Sequence, residues 1–265
     1  MGGFATKYRP IDFDTYIGNE VTKNKVLSML KNGTLPHSML FEGERGCGKT
    51  TLARIISKAL LCKSPNKDGT PCGTCDMCVK IEDKFILKGG RVPGVPIQEI
   101  DANSEGRKDD MLSLIEEMRT KHMGNTKKVY ILDEVQVVGK KAQSALLKVL
   151  EEPDPWLYII LCTTDPDDLL VPLRSRLTPF KITRPTRVEI KNHLKHICYL
   201  EQIKYEDSAL DVIIKVGNRV PRECLTHLQT LANLGDVTYD SAVTNLQVVR
   251  IDTYIDYFSV INTDI

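Results

Sequence analysis

The chain has 265 residues, of which 42% are hydrophobic and 27% charged, and a formal net charge of +1. This is the make-up of a soluble globular protein with room for two domains and the start of a third. No apolar run approaches the ~18 residues of a membrane span. The balanced charge excludes a globally basic nucleic-acid binder, so any DNA contact must come from local patches or from several chains assembled.

The N-terminus, MGGFATKYRP, lacks the apolar core of a signal peptide. It matches a short myristoylation pattern, and Asn32-Gly33-Thr34 matches a glycosylation acceptor, but nothing else in the chain supports either. The expectation is a cytoplasmic protein without membrane contact, whose thiols stay reduced.

Met39-Leu40-Phe41 reads as the end of a buried strand. Gly43-Glu44-Arg45-Gly46-Cys47-Gly48-Lys49-Thr50 then fits G-x-x-x-x-G-K-[ST]. From Thr51, the residues Leu52, Ile55, Ile56 and Leu60 follow helical spacing. Strand, glycine loop and helix in that order cradle a phosphate. Gly43, Gly46 and Gly48 let backbone N–H groups converge on the anion, and the helix N-terminus adds a favourable dipole. Cys47 and Thr51 complete the expected nucleotide-binding set. Lys49 is expected at the β- and γ-phosphates and Thr50 on magnesium.

PCGTCDMC places Cys72, Cys75 and Cys78 within seven residues, and Cys62 lies ten positions upstream. A reducing compartment disfavours a disulfide staple, and two overlapping C-x-x-C pairs exceed a lone redox motif. Four thiolates suit tetrahedral zinc, and such a closed shell is structural rather than catalytic. Pro71, Gly73 and Thr74 supply the turns. The competing reading is a set of buried, incidental cysteines, which is how Cys47, Cys162, Cys198 and Cys224 read.

KKVYILDEVQVV carries four consecutive apolar residues, Val129 to Leu132, and ends in Asp133-Glu134. The run predicts a strand buried on both faces of a parallel sheet, with its acids at the carboxyl end, where open α/β sheets bind ligands. Asp133 is expected in the magnesium shell and Glu134 as the group that polarises the attacking water. A further strand over LYIILCTTD ends in Thr163 and Thr164, and Arg174 and Arg176 follow in VPLRSRLTPF. Beyond Pro185, PTRVEIKNHLKHICYLEQI and DSALDVIIKVG predict amphipathic helices opened by a Thr and an Asp N-cap. His193 and His196 have no acidic or cysteine partner in sequence and read as surface or packing residues, as do His37, His122 and His227.

Taken in order, YRP…F…IG, GERGCGKTT, the cysteine knuckle, EIDANS, VYILDEV, ALLKVLEEP, TTDP and SRL resemble the AAA+ clamp-loader ATPases. More narrowly, they resemble the bacterial DNA polymerase III gamma/tau subunit family, over nearly the whole chain to about residue 237. The resemblance implies an α/β fold: an AAA+ P-loop doubly wound parallel sheet over residues 1–181 with a zinc knuckle inserted at 62–78. A small helical lid follows over 182–237, hinged at Pro185, and then the start of a truncated or missing collar over 238–265. The chain is expected to be a fragment or a naturally short, viral relative.

Roles follow residue by residue from the resemblance. Tyr8, Arg9 and Pro10, with the Ile17-Gly18 backbone, make the adenine side of the site. Lys49 and Thr50 are the Walker A residues, and Asp133 and Glu134 the Walker B pair. Thr164 is similar to the sensor-1 residue. Arg176 matches the arginine finger that reaches a neighbouring subunit's ATP, although Leu177 replaces the family's usual following cysteine. Arg222 resembles the sensor-2 arginine, with Arg219 as the competing position because RVPRE departs from the commoner LRDA. A helix beginning near Ser104 would place Arg107 and Lys108 in its first turn as contacts to DNA phosphates, which carry no sequence information.

The implied function is an ATP-driven loader of the sliding clamp onto primer–template DNA, working with other clamp-loader subunits in a pentameric ring or spiral. Its cofactors would be ATP, Mg2+ and structural Zn2+. A zinc module between the P-loop helix and the next strand argues against branch-migration helicases and protein-unfolding machines. Two alternatives stand beside this reading. A DNA-translocating AAA+ motor would need an aromatic pore loop, which the sequence lacks. A non-hydrolysing nucleotide-binding scaffold would have no need of an intact Lys49, Asp133, Glu134 and Arg176.

Overall fold

The computed structural model describes residues 3–86, 89–102, 110–120 and 127–247. In chain order its helices and strands begin with α1 (Phe4–Lys7), α2 (Glu20–Asn32), β1 (Ser38–Glu42), α3 (Lys49–Leu61) and α4 (Asp76–Ile81). There follow β2 (Ile97–Asp101), α5 (Asp110–Met118), β3 (Lys128–Asp133), α6 (Lys140–Glu151), β4 (Leu157–Thr163), α7 (Val171–Arg174) and β5 (Thr178–Lys181). The last four helices are α8 (Arg187–Leu200), α9 (Asp207–Val216), α10 (Pro221–Ala232) and α11 (Tyr239–Asn245). The described residues divide into two compact units: Arg9–Arg184, and residues 3–8 together with 185–247.

In the first unit the five strands form one parallel sheet in the order β2-β3-β4-β1-β5. Val129, Tyr130, Ile131 and Leu132 of β3 are all fully buried, as the unbroken apolar run predicts. Their alternation sends Val129 and Ile131, with Met39, Phe41 and Ile160, to one face against α3. Tyr130 and Leu132, with Leu40, Ile159 and Leu161, go to the other face against α5 and α6. Each fully buried aliphatic side chain contributes about 1.5–3 kcal/mol, so a sheet covered on both faces is the stable solution for such strands.

The order of the strands positions the site. The chain leaves β1 in the middle of the sheet, crosses to the far edge at β2 and returns through β3 and β4. The carboxyl ends of β1, β4 and β3 therefore lie side by side in the interior of the sheet. Helix α3 starts at Lys49, two residues earlier than its apolar spacing indicated. Gly48 at φ 105° makes the turn into the helix, so Lys49 and Thr50 already form its first turn. Strand β4 stops at Thr163, and Thr164 lies just beyond it.

The second unit is helical. Thr186 caps α8 with a reciprocal bond pair to Glu189, and Ile190, Leu194, Ile197 and Cys198 form its buried stripe. The N-cap expected at Asp207 is corrected: Glu206 holds that position without a side-chain capping bond, and Asp207 is the first helical residue, where its charge suits the helix dipole. Helices α9, α10 and α11 each bury an apolar face, and α11 packs on α9. The N-terminal segment joins this unit, where the Phe4 N–H donates to Gln229 Oε1 at 2.8 Å and Lys7 pairs with Glu201 at 2.5 Å. Among the described residues no helix is long and apolar enough to cross a membrane.

Candidate nucleotide site and metal centre

The loop between β1 and α3 is shaped by residues that only glycine can replace. A Cβ on Gly43 would fall 2.0 Å from the Ile182 carbonyl oxygen, and one on Gly48 would fall 2.7 Å from the Tyr16 hydroxyl. Gly46, at φ 76°, lies in the left-handed region as well. The Cys47 side chain is buried in the core under the loop, and burial pushes its thiol pKa up. Lys49 is 5% exposed, and its ammonium donates to the carbonyls of Gly43 at 2.8 Å and Glu44 at 3.0 Å, inside the loop.

Thr50 Oγ1 donates to Asp133 Oδ2 at 2.5 Å, which joins the first turn of α3 to the end of β3. Burial raises the Asp133 pKa, and the hydrogen bond from Thr50 opposes that rise. A hydroxyl and a carboxylate brought together beside a phosphate loop are the oxygen donors that magnesium takes, usually alongside substrate phosphates and water. The residues present fit that ion.

Glu134 follows at φ 53°, in the left-handed region. Its carboxylate accepts from Gln136 Nε2 at 2.6 Å and lies 3.4 Å from Thr164 Oγ1. Gln136 also donates to Thr164 Oγ1 at 2.8 Å and accepts from Thr163 Oγ1 at 2.8 Å. Glu134 and Thr164 share a cleft of about 750 Å³ with Glu44, Arg45, Asp101 and Arg184. Arg184 pairs with Glu44 of the loop.

Sequence reasoning missed Gln136 and Arg184. Gln136 stands two places after Glu134, a spacing with no signature of its own, and Arg184 meets Glu44 only through the tertiary fold.

The other expected residues fall as follows. The Ile17-Gly18 turn is tied down by Asn19, whose side chain exchanges bonds of 2.8 and 3.0 Å with the Thr183 backbone. Arg176 is on the surface after α7, donating to Glu151 Oε1 and to the Pro172 carbonyl, each at 2.8 Å. Arg9 and Pro10 open the sheet-bearing unit. Tyr8 belongs to the helical unit, where its hydroxyl bonds to Glu201. Arg222 is exposed in the first turn of α10, and Arg219 is exposed in the left-handed turn before it, at φ 59°. Ser104, Arg107, Lys108 and His122 lie outside the described residues.

The sulfurs of Cys62, Cys72, Cys75 and Cys78 all lie within 4.8 Å of one another. Tetrahedral zinc with Zn–S bonds of 2.3 Å needs sulfurs ~3.8 Å apart, which suits this cluster. Backbone N–H groups already point at the sulfurs. Cys72 N–H approaches Cys62 Sγ at 3.3 Å, Cys75 N–H approaches Cys72 Sγ at 3.3 Å, and Cys78 N–H approaches Cys75 Sγ at 3.5 Å. The N–H of Cys75 is the first reason that the Cys72 thiol is pushed down to about 6. Burial pushes the Cys62 and Cys78 thiols up. Helix α4 starts inside the cluster, with Cys75 as its N-cap, and buries Met77, Cys78 and Ile81.

A glycine loop feeding a helix from within the sheet, with the acid of β3 laid on that helix's first turn, is the arrangement of a P-loop nucleotide-binding fold. The fold is shared with the RuvB Holliday junction branch migration motor of Thermotoga maritima, with a TM-score of 0.64 and 20% identity over 92% of this chain and 73% of that one. At that identity the likeness concerns the fold alone.

The chain belongs to a family of DNA polymerase III subunits. The family model described as DNA polymerase III, delta subunit, matches residues 18–186. DNA polymerase III subunit tau/gamma of Haemophilus influenzae is 34% identical over 252 residues, covering 94% of this chain and 35% of that protein. Subunit gamma/tau of Mycobacterium tuberculosis is 34% identical over 251 residues, covering 92% of this chain and 42% of that protein. Subunit tau of Escherichia coli is 34% identical over 232 residues, covering 88% and 35%. The chain thus spans 35–42% of the length of these relatives.

Proposed function

We propose that this chain is an ATP-hydrolysing subunit of a sliding-clamp loader, which uses ATP to open a clamp and place it on primer–template DNA. The observation that carries the reading is the Thr50–Asp133 contact beside Lys49. It supplies the parts of a hydrolytic P-loop site in a chain of a DNA polymerase III subunit family.

Lys49 would leave the loop carbonyls for the β- and γ-phosphate oxygens of ATP, helped by the N–H groups of Gly46, Gly48 and Thr51. Thr50 and Asp133 would hold magnesium, which neutralises charge on those oxygens. Glu134 orients a water for attack on the γ-phosphorus and takes up its proton. The bond to the β-phosphate oxygen breaks, and ADP leaves with the electron pair. Thr164 contacts the same water or the γ-phosphate. The arginine finger is assigned to Arg176, acting in the site of a neighbouring subunit, and the sensor-2 arginine to Arg222, with Arg219 as the competing position. Tyr8, Arg9, Pro10, Ile17 and Gly18 are assigned to the adenine side.

The helical unit would serve as the lid, and the four-cysteine knuckle would hold structural zinc that fixes α4. Ser104, Arg107 and Lys108 are proposed to track the DNA backbone. The partners would be other loader subunits in a ring or spiral, the clamp and primed DNA.

Steady-state ATP hydrolysis tests the reading, measured on the chain with its partner subunits and no addition, primed DNA, clamp, or both. The expected result is strong stimulation only with both, lost in Arg176→Ala while ATP binding persists. Stimulation by single-stranded DNA alone, indifferent to the clamp, would make the protein a translocase. A flat, low rate throughout would make it a scaffold.

A further inference from the structure

Glu134 is the one residue of the cleft whose backbone is held in the left-handed region without being glycine, at φ 53°. Such a residue persists only where its surroundings determine it, because the conformation is strained for any residue that carries a Cβ. What determines its side chain is Gln136. A carboxylate only accepts hydrogen bonds, so the Gln136 amide must turn its NH2 group toward Glu134. The two N–H hydrogens then have two acceptors, Glu134 Oε2 at 2.6 Å and Thr164 Oγ1 at 2.8 Å. The amide oxygen is left facing Thr163 Oγ1 at 2.8 Å.

Thr163 is itself fully buried, and its hydroxyl also engages the Asp165 backbone, at 2.9 Å to the carbonyl and 3.1 Å to the N–H. Gln136 therefore links the Glu134 carboxylate to a rigid anchor at the end of β4. The link also sets the carboxylate beside Thr164.

We propose that Gln136 is a positioning residue for ATP hydrolysis, holding the Glu134 carboxylate beside Thr164 and anchoring it through its own bond to Thr163, so that the carboxylate meets the attacking water. This rests on the hydrolytic reading of the site. Gln136 does not line the cleft and need not touch ATP. Its loss should leave nucleotide affinity intact and lower turnover, as a displaced catalytic group can reduce the rate by ~10²-fold.

The test is single-turnover hydrolysis and equilibrium ATP binding in the assembled loader with clamp and primed DNA. It compares wild type, Gln136→Leu (similar in size, without donors) and Gln136→Met in case the first variant folds poorly. The expected result is a loss of about 10–100-fold in rate at unchanged ATP affinity and unchanged Tm. In a Glu134→Gln background, adding Gln136→Leu should change the residual rate by less than about twofold, because residues acting as a unit are non-additive. Three results overturn the assignment while leaving Glu134 as the base: wild-type turnover in Gln136→Leu, affinity lost in parallel with rate, or equal losses in both backgrounds. A wild-type loader that binds ATP and never hydrolyses it overturns the underlying reading, and this assignment falls with it.

Discussion

Thr50 on α3 and Asp133 at the end of β3 meet through a 2.5 Å hydrogen bond, although 83 positions separate them in sequence. The bond marks where the two halves of the nucleotide site close on each other, and its donor and acceptor are the oxygens assigned to magnesium.

Thr50→Val is expected to abolish most of the magnesium-dependent gain in ATP affinity and to slow hydrolysis by ~10²-fold, while Mg-free ATP binding changes little. Titrating ATP with and without magnesium checks this; an unchanged magnesium dependence would place the ion elsewhere. Asp133 carries a further consequence. Burial raises its folded pKa above the ordinary 3.8, so the unfolded chain gives up this proton first. Stability from this group is full below 3.8 and is lost as pH rises through the raised value. In nucleotide-free protein, Asp133→Asn should therefore have the higher Tm at neutral pH, with the advantage fading in acid.

Arg176 pairs with Glu151 across 2.8 Å, with side-chain exposures of 36% and 49%. An exposed pair of this kind contributes only about 0–1 kcal/mol, so it would cost little to free the arginine for the role proposed for it in a neighbouring subunit's site. Glu151→Gln should leave Tm within about 2 °C of wild type and leave stimulated hydrolysis undiminished. Arg176→Ala should lower that hydrolysis by ~10³-fold or more without weakening ATP binding. Equal losses in the two variants would mean that the ion pair itself matters.

Replacing Cys72 or Cys78 with serine should reduce bound zinc from one ion per chain to a small fraction, as read by metal analysis of purified protein. Because Cys75 is the N-cap of α4, chelation should also release amide protection over Asp76–Ile81, while ATP binding survives. Full zinc in both serine variants would exclude the four-thiolate shell.

His193 on α8 is pushed down to about 4, first by burial and then by the neighbouring His196 charge. A depressed histidine gives stability that is complete above the ordinary 6.5 and is lost as pH falls toward 4. The loss is on the order of 1 kcal/mol, since the side chain is partly open to solvent. Thermal unfolding of the full chain and of His193→Phe between those pH values should show the wild type falling more steeply; parallel curves would remove His193 from the account.

The phosphate loop, the buried strand ending in Asp133-Glu134, the cysteine cluster and the capped start of α8 were all legible from spacing. Each is written in residues close together, where helix and strand periodicity, glycine geometry and thiol chemistry act locally. The start of α3 was misread by two residues because Lys49 and Thr50 are polar, and apolar spacing cannot see a polar first turn. The Asp207 cap was misplaced for a related reason, since an acid at the cap and an acid one residue inside it look alike in sequence.

Residue type and local spacing thus determined which elements form and which side chains carry chemistry. Tertiary structure alone decided which ends came together: β4 and β5 flanking β1, Asp133 against Thr50, Arg184 on Glu44, and Gln136 across Glu134, Thr163 and Thr164. A hydrogen bond needs its partners within about 3 Å and in the right direction. For side chains on different strands, that geometry is set by sheet order and by packing on both faces, which no local spacing encodes.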